Sequence, residues 1–124
     1  MVKSLAILAG LVFIALGIAG FIPGMIRDEI LFGQFHVNVI HNFVHIVSGI
    51  IFTLAGAGSA TASRLCFRIF GVIYAVLAIW GFAVEPRKIL WVISNNRPDA
   101  WLHIVFAIIF LLLGFATSRK GEGA

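Results

Sequence analysis

His45 and His103 are the two residues of this 124-residue chain whose type and placement best support chemistry. Each lies about seven residues after an asparagine, Asn38 or Asn96, that opens a long apolar run. At 1.5 Å per residue this is roughly 10 Å along a helix. An ionisable side chain at that depth in an apolar helix marks a candidate functional site. Two facing imidazoles could ligate the iron of a haem b, with Gly49 and Ala107 one turn away leaving room for a porphyrin edge. They could instead share a metal ion, with His41 as a third nitrogen on the face of His45. Against both stands a structural role, in which each ring bonds a carbonyl or side chain of a neighbouring helix and pins the register. Phe52, Phe106 and Phe110 compete for the same volume. The expectation from sequence is therefore the structural role, with no cofactor assigned and His41, His45 and His103 as the ligand candidates.

Around these histidines lie Asn38, Asn42, Asn96 and Asp99. Asn38 and Asn96 read as N-caps, Pro98 suits a first helical turn, and Asp99 at the third position supplies half of a capping box. The functional alternative is an outer-surface polar site made by the same residues with His41. Helix starts demand such groups in any case, so capping is expected. The chain carries no nucleophile with a base partner, no phosphate loop and no paired catalytic carboxylates. Cys66 is a lone thiol beside a basic boundary, read as inert rather than acylated. A non-enzymatic protein is expected.

The elements that must position these residues follow from composition. The chain is 61% hydrophobic and 11% charged, with a mean hydropathy of +1.10. A soluble domain this small cannot bury so much apolar surface; lipid can accept it. The net charge of +4 does not point to nucleic acid, because the nine basic residues are scattered between apolar runs. Four runs are long enough for membrane-crossing helices, at about 5–22, 39–57, 66–84 and 99–117. Membrane strands would alternate over about ten residues, and these runs do not. The fold expected is all-α, a four-helix integral membrane bundle in a single transmembrane domain.

The four runs are two copies of one hairpin. Gly10, Leu16, Ile18, Gly20 and Phe21 match Gly71, Leu77, Ile79, Gly81 and Phe82 in register. Asn38, His45, Ile46, Val47, Ile50, Ile51, Phe52, Leu54 and Gly56 match Asn96, His103, Ile104, Val105, Ile108, Ile109, Phe110, Leu112 and Gly114. Apolar helices match by chance at Leu and Ile, much less readily at Asn, His and Gly together. The reading is a tandem repeat, 1–62 and 63–124, with both copies in one orientation about a pseudo-twofold axis along the membrane normal.

At 100° per residue, Asn38, His41, Asn42, His45, Ser48, Gly49, Phe52, Thr53 and Gly56 share one face of the second helix. Asn96, Asp99, Ala100, His103, Phe106, Ala107, Phe110 and Gly114 share one face of the fourth. Lipid offers no hydrogen-bond partner, so these faces point inward. Gly10, Gly17 and Gly20 on the first helix and Gly71 and Gly81 on the third supply grooves for close packing, with Gly49, Gly56 and Gly114 opposite.

One end carries Lys3, Arg64, Arg68, Arg119 and Lys120 against Glu122. The other carries Arg27, Arg87, Lys88 and Arg97 against Asp28, Glu29, Glu85 and Asp99. The basic excess places both termini in the cytoplasm. Trp80, Trp91, Trp101, Phe32 and Phe35 read as interfacial anchors, Arg27, Asp28 and Glu29 as a solvated loop, and 31–37 as a segment lying in the interface.

The run Asn38-Val39-Ile40-His41-Asn42-Phe43-Val44-His45, followed by Gly49, and the set Asn96, Asp99 and His103 resemble a bacterial family of small four-helix membrane proteins known as a domain of unknown function. That family opens its second helix with Asn-x-x-His-Asn-x-x-His and its fourth with Asn…Asp-x-x-x-His. Ala100 stands where the family commonly has Asn. The resemblance covers nearly the whole chain and implies a bacterial inner-membrane protein; it brings no activity. The function expected is an accessory or scaffold bundle, with the lipid bilayer and a homo-oligomer or larger membrane complex as partners. A haem-, metal- or pigment-binding protein is the alternative, and a small oligomeric transporter or channel the third reading.

Overall fold

The structure is a computed structural model that describes residues 1–84 and 95–116. Among the described residues are four α-helices: α1 (Val2–Ala19), α2 (Val39–Gly58), α3 (Ala60–Val84) and α4 (Arg97–Ala116). Three two-residue strands, β1 (Ile26–Arg27), β2 (Ile30–Leu31) and β3 (Phe35–His36), lie between α1 and α2. Each helix is long and apolar enough to cross a membrane. Leu54, Ile79, Val105 and Leu112 point outward, while His41, Asn42, His45, Ser48 and His103 are buried. That arrangement suits lipid as solvent, where backbone and side-chain polar groups must find partners inside the protein. The chain is a multi-pass membrane protein.

α1 packs along α2, and α3 along α4, through glycines that bring backbones together. A β-carbon on Gly49 would stand 2.5 Å from the Gly10 carbonyl oxygen and 2.8 Å from the Ile14 nitrogen. One on Gly56 would stand 2.7 Å from the Lys3 carbonyl oxygen; one on Gly114 would stand 3.2 Å from that of Arg64 and 2.9 Å from the Arg68 nitrogen. Gly10 faces Thr53, and Gly71 faces Leu111. Small residues permit such approach, and dispersion contacts then hold the pair where no hydrophobic force acts between helices.

The seam between the two hairpins is aromatic. Phe13 of α1 lies within 6.2 Å, centroid to centroid, of Phe52, Tyr74, Phe106 and Phe110. Phe52 in turn meets Phe67 and Phe70 at 5.1 Å. Tilted and edge-on arrangements of this kind favour ring quadrupoles.

Two boundaries differ from expectation. α1 ends at Ala19, and Phe21 and Ile22 close tight turns onto Ile18 and Ala19 ahead of Pro23. α3 starts at Ala60, earlier than 66, because Ser59 alone makes the turn: its hydroxyl accepts from the Ala62 N–H at 3.0 Å, and the Ser63 hydroxyl donates to the Ser59 carbonyl at 2.8 Å. Arg64, ahead of the expected start, therefore lies on the same helix as Arg68. Arg64 is buried; Arg68 donates from Nε to the Gly114 carbonyl at 2.7 Å and covers the Phe115 ring.

The segment 31–37 belongs in part to a small antiparallel sheet, β1-β2-β3. Arg27 pairs with Ile30 across a two-residue turn in which Asp28 and Glu29 both take positive φ, as a primed turn requires. Leu31 and Val37 are buried against Ala19, so the sheet rests on the end of α1. Trp91, Glu85, Arg87, Lys88, Arg119, Lys120 and Glu122 lie outside the described residues.

Candidate functional site

Helix starts set the depth of the site. The Asn38 side chain accepts from the His41 backbone N–H at 2.9 Å, which caps α2. Asn96 and Asp99 exchange two bonds at the start of α4: the Asp99 N–H donates to Asn96 Oδ1 at 2.9 Å, and the Asn96 N–H donates to Asp99 Oδ2 at 3.0 Å. This is a complete capping box with Asp in the usual Glu position. Asn96 also donates from its amide to the Gln34 carbonyl at 2.9 Å, tying the sheet to the second hairpin. The polar groups at this end are thus largely engaged in holding helix starts.

One turn deeper the inward faces meet. His41 and His45 project from successive turns of α2, and His103 from α4. All three are buried, with 2–3% of their surface exposed. Ring centroids are 4.7 Å apart for His41 and His45, 5.6 Å for His41 and His103, and 6.1 Å for His45 and His103. One nitrogen from each ring lies within 4.8 Å of the other two.

The other two helices wall the cluster. Phe13 of α1 packs on His45 at 5.5 Å, and Tyr74 of α3 on His103 at 5.3 Å. Tyr74 and Ser48 share a hydroxyl hydrogen bond of 3.1 Å beneath the rings. Below that level the axis is filled by Phe52, Phe67, Phe106 and Phe110.

The sequence expectation for the histidines was a bond from each ring to a neighbouring helix. His45 departs from it: among the described residues neither of its ring nitrogens has a hydrogen-bond partner, and neither does Nδ1 of His103. An unmet buried polar atom costs about 1–3 kcal/mol. Pinning a bundle in register does not explain keeping such atoms together. Haem b between His45 and His103 does not fit either. His41 stands beside both rings, and Phe13, Tyr74 and Phe106 fill the space a macrocycle plane would need. What the arrangement can do is bring one nitrogen from each of three imidazoles within reach of one small ion.

Asn42 has a separate task. Its amide donates to the Gly20 carbonyl at the end of α1 at 3.0 Å. Asn95, which sequence reasoning passed over, makes the same 3.0 Å bond to Gly81 at the end of α3. In both, the amide oxygen lies over the glycine α-carbon, where any side chain would clash. Cα–H groups are weak donors, and this contact suits an oxygen with no N–H partner. Ala100, in the place where Asn42 has its counterpart, faces Gly81 with a methyl group, and Asn95 supplies the amide from outside the helix. The register match of Gly20 with Gly81 was the signal that could have found it.

Residues 3–116 match the family described as Domain of unknown function (DUF4383), and the chain belongs to it. No curated protein and no solved structure matches the chain.

Proposed function

We propose that this DUF4383 member is a metal-binding protein of the bacterial cytoplasmic membrane that holds one transition-metal ion among His41, His45 and His103. The observation that carries this reading is the convergence of three buried imidazoles, with both nitrogens of His45 and Nδ1 of His103 lacking a protein partner. Imidazole suits late transition metals. At nitrogen–metal lengths of about 2.0 Å a trigonal set has its nitrogens ~3.5 Å apart.

The role is accessory rather than catalytic. Catalytic metals keep an open position for water or substrate, whereas these ligands are enclosed by four helices and a layer of aromatic rings. That ring-filled half also argues against a channel through a single copy. Lys3, Arg64 and Arg68 at one end, against Arg27 and Arg97 offset by Asp28, Glu29 and Asp99 at the other, support both termini in the cytoplasm. The matched glycine contacts of the two hairpins support a tandem duplication that left the site asymmetric, two ligands from one copy and one from the other.

The test is metal analysis of detergent-purified protein after reconstitution with iron, cobalt, nickel, copper or zinc. One ion per chain, lost in His45→Ala protein of unchanged helical content, is expected. Less than a tenth of an ion with every metal would return the protein to the scaffold reading.

A further inference from the structure

Resting on the three-histidine reading, we infer that the ion this site selects is monovalent copper. Three features of the site, taken together, discriminate among metals that all accept imidazole. The first is charge. Among the described residues no carboxylate or thiolate joins the three nitrogens. Asp99, one turn away on α4, is a buried charge outside the ligand set, its Oδ2 accepting from the Asn96 N–H in the capping box. Three imidazoles bring no negative charge into the ion's own ligand set.

The second feature is what surrounds that charge. Phe13 and Tyr74 pack against the histidine rings, and Phe52, Phe106 and Phe110 lie beneath. The cost of moving an ion into such a medium is several kcal/mol even after relaxation, and in the Born picture it grows as the square of the charge. A divalent ion therefore meets about four times the penalty of a monovalent one, with no anionic ligand to offset it.

The third feature is number. A d10 monovalent copper ion is satisfied by three nitrogens in a trigonal set. Zinc takes a tetrahedral fourth ligand, and divalent copper a tetragonal set of four or more. The hydroxyl of Tyr74, whose ring packs on His103, is bonded to that of Ser48. The site offers three ligands, low charge and a dry surround, and monovalent copper is the ion that asks for all three. Holding it requires no electron or proton transfer: three imidazole lone pairs form three bonds and nothing leaves.

The experiment is an anaerobic titration of the full chain in detergent with monovalent copper, zinc and cobalt, each alone and in competition, with a chromophoric copper chelator as the reference. One monovalent copper per chain is expected, retained against a tenfold excess of zinc, with a K-edge spectrum showing three nitrogen scatterers and no fourth ligand. His45→Ala and His103→Ala should each weaken binding by more than ~100-fold, beyond the usual effect of losing an outer-shell partner. Tyr74→Phe should leave copper affinity within threefold. Zinc binding tighter than copper, or loss of the ion in Tyr74→Phe, overturns the copper assignment and leaves the metal site standing. No stoichiometric ion of any kind overturns both.

Discussion

Asn95 donates its side-chain amide to the Gly81 carbonyl at 3.0 Å. Asn42 makes the same bond, at the same length, to Gly20. Each ties the carbonyl end of a long apolar helix to the start of its partner, where an orphan carbonyl would otherwise be buried. The amide comes from within α2 in one hairpin and from the residue just before the capping asparagine of α4 in the other.

Removing either amide leaves its carbonyl unmet. Asn42→Ala and Asn95→Ala should each lower stability by about 1 kcal/mol, in line with hydrogen bonds between membrane helices. Adding Ala100→Asn to Asn95→Ala, which restores an amide at the position matching Asn42, should recover part of the loss. Thermal unfolding in detergent, followed by circular dichroism, is the check; equal stability of all three variants and wild type would contradict the role given to these amides.

Glycine contacts make a prediction of sign. Gly49→Ala puts a methyl group onto the backbone of Gly10 and Ile14, so the hairpin must open or strain, at about 1–3 kcal/mol. At Gly58 a β-carbon meets open space, and Gly58→Ala should be neutral or stabilising by up to ~1 kcal/mol from helix propensity. Denaturant unfolding of the two variants side by side separates packing from propensity.

The unpartnered nitrogens of His45 imply opposite effects with and without metal. In metal-free protein, His45→Phe removes two unmet polar atoms beside Phe13 and should raise the melting temperature. With ion at about 100 times its Kd, wild type should gain ~2.7 kcal/mol and the variant nothing. A His45→Phe protein less stable than wild type in the presence of a strong chelator would count against the reading.

Tyr74→Phe deletes one hydroxyl and leaves Ser48 to find another partner. The expected cost is about 1 kcal/mol, with helical content unchanged. The same loss measured for Ser48→Ala, and no further loss in the double variant, would identify the bond as the shared cause.

Orientation is testable with single cysteines. In a Cys66→Ala background, Gly24→Cys lies in the open loop after α1 and should react with a membrane-impermeant maleimide in intact cells. Ser4→Cys, at the terminal end of α1, should react only after permeabilisation. The reverse pattern would invert the topology proposed from the basic residues.

Much of the architecture was legible in the sequence because lipid simplifies the rules. Apolar length gives the spans, a polar or small face must turn inward, and an asparagine before an apolar run caps a helix. The inward placement of His41, His45 and His103 and the glycine faces follow from helical periodicity alone. The pairings of the three-stranded sheet did not, since Asp28 and Glu29 take positive φ without the glycine that would announce their turn. Nor did the start of α3, decided by the hydroxyls of Ser59 and Ser63. Periodicity says which face of a helix is buried, not what it meets. Only the packing of two glycine-tight hairpins across an aromatic seam brought His103 of α4 to the depth of His41 and His45. It also left His45 without a hydrogen bond, because rings rather than carbonyls surround it.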